Sequence, residues 1–327
     1  MTYEEAKTAF ERLFLGLMDE EEARTLLVEM AERGESTDEI AAAAEVMRAH
    51  SVKLPVPEEL RVKLIDNCGT GGDKSGSFNI STTVSLLLAG AGSYVAKHGN
   101  RSITSRSGSA DMLEQLGVRL DLSPEQQVKM LQECGFTFIF AIYHHPAMKF
   151  VMPIRKSIPH RTIFNILGPL SNPAGVEKQF IGVFDPSFVP KIAKALRRLG
   201  SKRAMVVSSR DGLDEISLGA PTDAAVLEGE HLRLETIEPV EYGFERVPLE
   251  AIAGGDAQEN AKITREILTG ELKGPKRDIV LINAAGALIV DGKAKDFEEG
   301  IAIARETIDS GKAAEALKKI VEVSNAL

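Results

Sequence analysis

Four short segments concentrate the side chains that could do chemistry, and each suits a different kind of contact. The first is Gly69-Thr70-Gly71-Gly72-Asp73, placed after a predicted strand and followed by Ser77-Phe78-Asn79-Ile80-Ser81-Thr82-Thr83 at the start of a predicted helix. Glycines tolerate positive φ and let backbone N–H groups approach an anion unobstructed. A helix N-terminus adds unpaired N–H groups and a favourable dipole, so the pair of segments suits a phosphate. The plainer alternative is a tight turn with an ordinary cap. The second segment runs Lys97-His98-Gly99-Asn100-Arg101-Ser102-Ile103-Thr104-Ser105-Arg106 into Ser107-Gly108-Ser109. Its cations and hydroxyls form a local well for a phosphate-rich ligand, against the plainer reading of a solvated basic loop with a structural histidine.

The third segment, Asp211-Gly212-Leu213-Asp214-Glu215, offers hard carboxylate oxygens of the kind magnesium accepts while bridging to substrate phosphates. Alone it is weak, since acidic turns are common. The fourth spans His144-His145-Pro146-Ala147-Met148-Lys149, Arg155-Lys156, Arg161-Thr162-Ile163-Phe164-Asn165 and Gly168-Pro169-Leu170-Ser171-Asn172-Pro173. The paired histidines have no companions at zinc spacing. Arg155 is the more telling residue, because its guanidinium fork fits a carboxylate in two-point fashion; a surface salt bridge is the competing explanation.

These segments need a scaffold, and the chain supplies one. Apolar residues at helical spacing over residues 2 to 50 predict three helices, with Gly34 closing one and Ser36 or Thr37 with Glu39 capping the next. Leu54-Pro55-Val56-Pro57 breaks the pattern, which places a domain boundary near 55 to 65. Beyond it, short apolar runs at 63–66, 93–96, 137–141, 180–184 and 203–208 alternate with helical stretches at 81–91, 107–116, 123–134 and 187–199. This alternation predicts an α/β class chain with a mainly parallel sheet flanked by helices, whose ligands gather at strand ends. From about residue 256 onward the chain reads as helix.

Composition narrows the function classes. The chain has 327 residues, is 43% hydrophobic and 27% charged, and contains no apolar run of membrane-spanning length. Its N-terminal stretch is acidic and amphipathic, unlike a secretory leader, and two cysteines are too few for a disulfide framework, so a cytoplasmic location is expected. A net charge of -9 disfavours nonspecific binding to nucleic acid, and the basic segment is too compact and too poor in aromatics to track a strand.

With these motifs in place, the sequence resembles the anthranilate phosphoribosyltransferases over nearly its whole length. GTGGD, FNIST, AKHGNRS, SGSAD, HPAMK, RTIFNILGPLSNPA, DGLDE and NAAGAL occur in the family's order. The resemblance implies a small helical domain of residues 1–62, joined by a helical segment near 145–165, and a phosphoribosyl pyrophosphate-binding α/β domain of residues 63–327. It further implies a homodimer formed through the helical domain, and a cleft site between the domains. By the same resemblance, Gly69, Gly72, Asp73, Ser77, Asn79, Ile80, Ser81, Thr82, Lys97, His98, Gly99, Asn100, Arg101, Ser102, Ser105 and Ser109 hold phosphoribosyl pyrophosphate. Asn100 and Arg155 hold anthranilate, with Gly69 backbone and walls from His98, His145 and Pro169. Ser81, Asp214 and Glu215 hold magnesium, two ions per subunit. Lys97, Asp73 and His98 are the candidate catalytic residues. Two departures stand out: Asn67-Cys68 precedes the glycine run where a branched aliphatic residue is usual, and Ile142-Tyr143-His144 varies beside the pocket.

The implied reaction joins ribose 5-phosphate to the amino group of anthranilate, with pyrophosphate leaving, in tryptophan biosynthesis. Stabilising the leaving group and positioning the amine should dominate, because an aromatic amine is already neutral at pH 7. His98 as a general base is then optional. The competing readings are a pyrimidine nucleoside phosphorylase, a non-catalytic nucleic-acid-binding relative of the same fold, and a scaffold protein. No glutamine amidotransferase segment is present, so an anthranilate synthase partner is expected as a separate chain.

Overall fold

The computed structural model describes residues 1–101 and 107–327. Seven strands form one sheet: β1 Leu64–Asp66, β2 Tyr94–Gly99, β3 Phe136–Phe140, β4 Lys178–Gly182, β5 Arg203–Ser209, β6 Thr222–Glu228 and β7 His231–Ile237, in the spatial order β3-β2-β1-β4-β5-β6-β7. The first five pair in parallel, and β6 and β7 add an antiparallel hairpin at one edge. The mainly parallel sheet is thus as expected, while the hairpin is an addition that the sequence pattern does not predict. Successive strands first move from β1 outward to β3, and the chain then returns to the other side of β1 with β4. The sheet therefore reverses direction between β1 and β4, and the crevice outside their carboxyl ends is where such folds bind ligands.

The N-terminal helices Tyr3–Phe14, Glu20–Arg33 and Thr37–Ala49 match the three expected. Their ends follow local chemistry. Gly34 leaves the second helix at φ 80°, and Ser36 caps the third: its Oγ accepts from the Glu39 N–H at 3.2 Å while the Glu39 carboxylate accepts from the Ser36 N–H at 2.9 Å. Their apolar faces do not close on themselves. Phe10, Leu27, Ile40 and Met47 share one core with Val151 and Ile154 of helix Met148–Ser157, with Ile192 and Leu196 of helix Val189–Arg198, and with Ile181 and Val206 of the sheet. The opposite sheet face is covered by helices Ile80–Gly90 and Pro275–Asp291, with the remaining C-terminal helices Ala257–Leu268, Phe297–Asp309 and Lys312–Ala326 around them. In the long helix, Gly286 sits where an added Cβ would meet the Phe180 ring at 2.7 Å, and Ala285 sits where a Cβ on Gly300 would meet it at 2.8 Å, so helices and sheet approach closely there. No helix among the described residues is long and apolar enough to cross a membrane.

Candidate active site

The glycine run leaves the carboxyl end of β1 and bends through an unusual sequence of conformations: Gly71, Gly72, Lys74 and Gly76 all have positive φ. Turn conformations of this kind leave backbone N–H groups outside regular hydrogen-bond ladders, where an anion can meet them. The run is pinned from two sides. The Thr70 N–H donates to the Gly182 carbonyl at the end of β4 at 2.8 Å, and the Gly71 N–H donates to Asp214 Oδ2 at 2.6 Å. Asp214 and Glu215 arrive on the loop after β5, so the acidic turn and the glycine run expected from separate stretches meet at the switch point. Contact there is close: a Cβ on Gly69 would stand 3.2 Å from Asp214 Oδ2, and one on Gly182 only 1.6 Å from the Asp214 carbonyl oxygen. The need for glycine at 182 escapes sequence reasoning because the neighbour that forbids a side chain lies in a distant segment.

Burial raises the carboxyl of Asp214, and the nearby Asp73 adds to the effect. Burial also raises Glu215, with Asp214 next in importance and Lys97 opposing. Asp214 and Glu215 thus oppose each other's charge, Asp73 adds to the effect on both, and Asp73 Oδ2 is buried without a hydrogen-bond partner. Lys97, 1% exposed, reaches this region from β2; its Nζ donates to the Asn67 carbonyl at 2.9 Å and to Ser81 Oγ at 3.2 Å. Asn67, one of the two departures from the family pattern, braces the same corner. Its Nδ2 donates to the Ser81 carbonyl at 2.7 Å and its Oδ1 accepts from Ser85 Oγ at 2.6 Å. Burial pushes the Cys68 thiol up to about 12, which disfavours the nucleophilic thiolate.

Not every side chain expected to face phosphate is free to do so. Asn79 stands at the N-cap of helix Ile80–Gly90 without capping it; its Nδ2 donates to the Ser107 carbonyl, and its Oδ1 accepts from Ser107 Oγ and Asn260 Nδ2. Thr82 Oγ1 donates to Ser109 Oγ at 2.9 Å, and Ser77 Oγ accepts from Ser75 Oγ at 3.1 Å. Ile80 is buried and contributes backbone and packing. Gly99 is required for a different reason, since a Cβ there would meet Phe138 at 2.7 Å. Arg101 is held by Asp111 at 2.8 Å and Glu114 at 2.6 Å and lies over the Phe140 ring, so the basic well is weaker than the sequence suggests. Asn100 is exposed, with its side-chain oxygen turned back to the Arg101 N–H. Ser102 and Ser105 lie outside the described residues.

The residues expected around anthranilate fall into two groups. His98, His145 and Pro169 come together: His98 Nδ1 is 3.0 Å from the Gly168 carbonyl, His98 Nε2 is 3.2 Å from His145 Nε2, and Pro169 begins the turn Pro169–Ser171. The carbonyl requires Nδ1–H on neutral His98, which leaves its Nε2 to accept from His145. Burial lowers His98 to about 4 and His145 to about 3, so both rings are neutral at pH 7, and both nitrogens of His98 are engaged. Arg155, which makes no side-chain bond to these three among the described residues, is on helix Met148–Ser157, which packs against helices Tyr3–Phe14 and Glu20–Arg33. It is half-buried, burial lowers its guanidinium, and no ion pair or hydrogen bond engages that guanidinium among the described residues. The salt-bridge alternative for Arg155 is therefore not what the structure contains. Arg161, given no role from sequence, latches the glycine run by donating to the Gly72 carbonyl while its guanidinium lies 3.8 Å from the Phe184 ring centroid.

The donor set fits magnesium on its chemistry. Asp214, Glu215 and the Ser81 hydroxyl are hard oxygens, and the mutual crowding of the carboxylates is what a divalent cation relieves. Among the described residues no group of three or more His, Cys, Asp or Glu is placed to hold a metal ion, so with two carboxylates and one hydroxyl the remaining ligands would have to be waters and substrate phosphates.

Comparison with known proteins gives a consistent result. The family model "Glycosyl transferase family, a/b domain" matches residues 61–314. The anthranilate phosphoribosyltransferase of Bradyrhizobium sp. (strain ORS 278) is 47% identical over 99% of this chain and 95% of its own length, and that of Rubrobacter xylanophilus 44% identical over 99% and 93%. Among solved structures, anthranilate phosphoribosyltransferase from Thermus thermophilus superposes with a TM-score of 0.92 at 42% identity, covering 99% of this chain and 96% of that one. The Saccharomyces cerevisiae enzyme in complex with PRPP and Mg superposes with a TM-score of 0.89 at 28% identity, covering 100% and 94%. The chain accordingly belongs to the glycosyl transferase family defined by this α/β domain and, within it, to the anthranilate phosphoribosyltransferases.

Proposed function

We propose that the chain transfers the 5-phosphoribosyl group of phosphoribosyl pyrophosphate to the amino group of anthranilate, releasing pyrophosphate, as a step of tryptophan biosynthesis. The observation that carries this reading is the meeting, at the sheet's switch point, of an N–H-rich glycine loop, a buried lysine and crowded carboxylates. The yeast relative's complex with PRPP and Mg supports it.

In this reading Asp214, Glu215 and Ser81 hold magnesium, two ions per subunit, which when bound neutralises charge on the departing pyrophosphate. The N–H groups of Gly69, Gly72 and Asp73, those of Thr70 and Gly71 being taken by Gly182 and Asp214, supply with the Lys97 ammonium a fixed positive potential that requires no reorganisation as charge develops. Thr82, Ser109 and the helix start at Ile80 and Ser81 flank the same ligand. Arg155 receives the anthranilate carboxylate as a bidentate partner, and Asn100 turns from Arg101 to the substrate. His98, neutral and doubly bonded, serves with His145 and Pro169 as a wall of the pocket; a base is not required of it. Residues 1–62 with 145–165 act as a helical unit. Exposed Leu15, Leu17 and Phe150 of that unit support a homodimer through it. The free cysteines support a cytoplasmic setting, with any anthranilate synthase a separate chain.

The phosphorylase and nucleic-acid alternatives draw no support from the relatives. The test is loss of anthranilate fluorescence on adding phosphoribosyl pyrophosphate, with and without magnesium, beside a thymidine phosphorolysis assay. Magnesium-dependent anthranilate loss is expected; thymidine cleavage without it overturns the reading.

A further inference from the structure

Asp66 and Asn172 belong to none of the proposed ligand sets, yet they join the segments that carry those sets. Asp66 ends β1, is 1% exposed, and launches the glycine run. Its Oδ1 accepts from the His98 N–H at 3.3 Å and its Oδ2 accepts from Asn172 Nδ2 at 2.8 Å. The same Nδ2 donates to the Ala96 carbonyl at 2.8 Å, and Asn172 Oδ1 accepts from the Ala174 N–H at 2.9 Å. Asn172 is 3% exposed and closes the turn Pro169–Ser171. One carboxylate and one amide therefore bind three things together: the start of the glycine run, the stretch of β2 that carries Lys97, and the turn that carries Pro169. A buried carboxylate is weak evidence for stability, because an apolar pair of the same volume often holds segments as well. What a fully bonded buried polar pair adds is a unique geometry.

We infer that Asp66 and Asn172 are positioning residues, a clasp that sets the spacing between the diphosphate subsite and the arylamine subsite without forming either one. The inference rests on the transferase reading above. Each substrate would still find its own subsite when the clasp is lost, but the amine and the ribose carbon would no longer be aligned, and misplacement on the order of 1 Å costs about a hundredfold in rate.

The test compares Asp66→Asn, which keeps shape but removes the charge facing Lys97 and turns one of the two acceptors into a donor, and Asn172→Ala, which leaves Asp66, its charge and its bond from His98 in place and serves should Asp66→Asn not fold. Steady-state kinetics with magnesium and both substrates are measured alongside thermal melts and a single-turnover count of competent sites. Expected are a fall in kcat per competent site of about a hundredfold and both KM values within about threefold of the unmodified chain. A kcat per competent site that is unchanged, or a loss confined to one KM, overturns the clasp. With an active unmodified chain either result overturns the clasp alone, whereas absence of transfer by the unmodified chain overturns the transferase reading and the clasp with it.

Discussion

Gly182 is the position where a single added carbon should disable the proposed metal corner. The built Cβ would lie 1.6 Å from the Asp214 carbonyl oxygen and 2.5 Å from its carbon, both backbone atoms, whereas real Cβ contacts essentially never fall under 3.0 Å. In Gly182→Ala the loop after β5 must therefore retreat by about 1.4 Å, because neither backbone can rotate away as a side chain would. That movement carries Asp214 and Glu215 with it, and strains two bonds that pin the glycine run, from Thr70 to Gly182 and from Gly71 to Asp214. Overpacking of this kind costs about 1–3 kcal/mol of stability, and displacing charge-stabilising groups by about 1 Å costs about a hundredfold in turnover. The assay is anthranilate fluorescence loss across a magnesium titration, beside a urea melt. Turnover should fall by about two orders of magnitude with the half-saturating magnesium concentration raised, while KM for anthranilate changes little because Arg155 belongs to helix Met148–Ser157 and not to the displaced loop. A folded Gly182→Ala variant with unaltered turnover and magnesium dependence would refute the reasoning.

Other perturbations separate the parts of the site. Arg155→Ala removes a charge-assisted bond of about 1.5–3 kcal/mol, so KM for anthranilate should rise roughly ten- to a hundredfold with kcat near the original; an unchanged KM removes Arg155 from the pocket. Asp214→Ala and Glu215→Ala should chiefly lower turnover and shift magnesium dependence, and unaltered steady-state constants in both would remove them from the metal site. His98→Gln should leave the shape of the turnover-pH profile between pH 6 and 8 intact, because His98 titrates at about 4; loss of an acidic limb in that window would restore it as a base. Glu39 gives a pH prediction for stability. Burial opposes its charge, but bonds from Arg33, the N-terminal amine and Ser36 outweigh burial and hold the carboxyl at about 2, below its ordinary 4.5. A depressed pKa stabilises above the unfolded value and is lost as pH falls toward the folded one. With Arg33 half-exposed and screened, Glu39→Gln should cost about 2 kcal/mol at pH 7 and progressively less between pH 4.5 and 2, as read from urea melts; equal cost at pH 7 and pH 2.5 would sink the assignment.

Much of the fold was legible because its signals are local. β-branched and apolar runs located all five parallel strands, though the fourth ends at Gly182 and not at Phe184, and the Ser36–Glu39 box and Gly34 fixed helix ends by nearest-neighbour chemistry. The hairpin Thr222–Ile237 was harder. Its outer strand, His231–Ile237, is exposed or half-exposed until Ile237 and lacks a period-two burial pattern, so it carries little strand signal. The glycine run and the acidic turn could each be recognised as ligand-like, but their meeting depends on the sheet reversing between β1 and β4. Competition is what sequence hid most. Asn79 and Arg101 have the right chemistry for phosphate, yet Asn260 and Ser107 take the one, and Asp111 and Glu114 the other. Gly182, Arg161 and Asn172 act on segments far away in the chain, and no short motif announces such partners.

The most direct measurement is a crystal of the chain soaked with phosphoribosyl pyrophosphate and manganese in place of magnesium, read by anomalous scattering. The account predicts a manganese peak coordinated by Asp214, Glu215 and Ser81, with the diphosphate against the N–H groups of Gly69, Gly72 and Asp73. A fully occupied ligand elsewhere, with that crevice vacant and both acids unliganded, would contradict it.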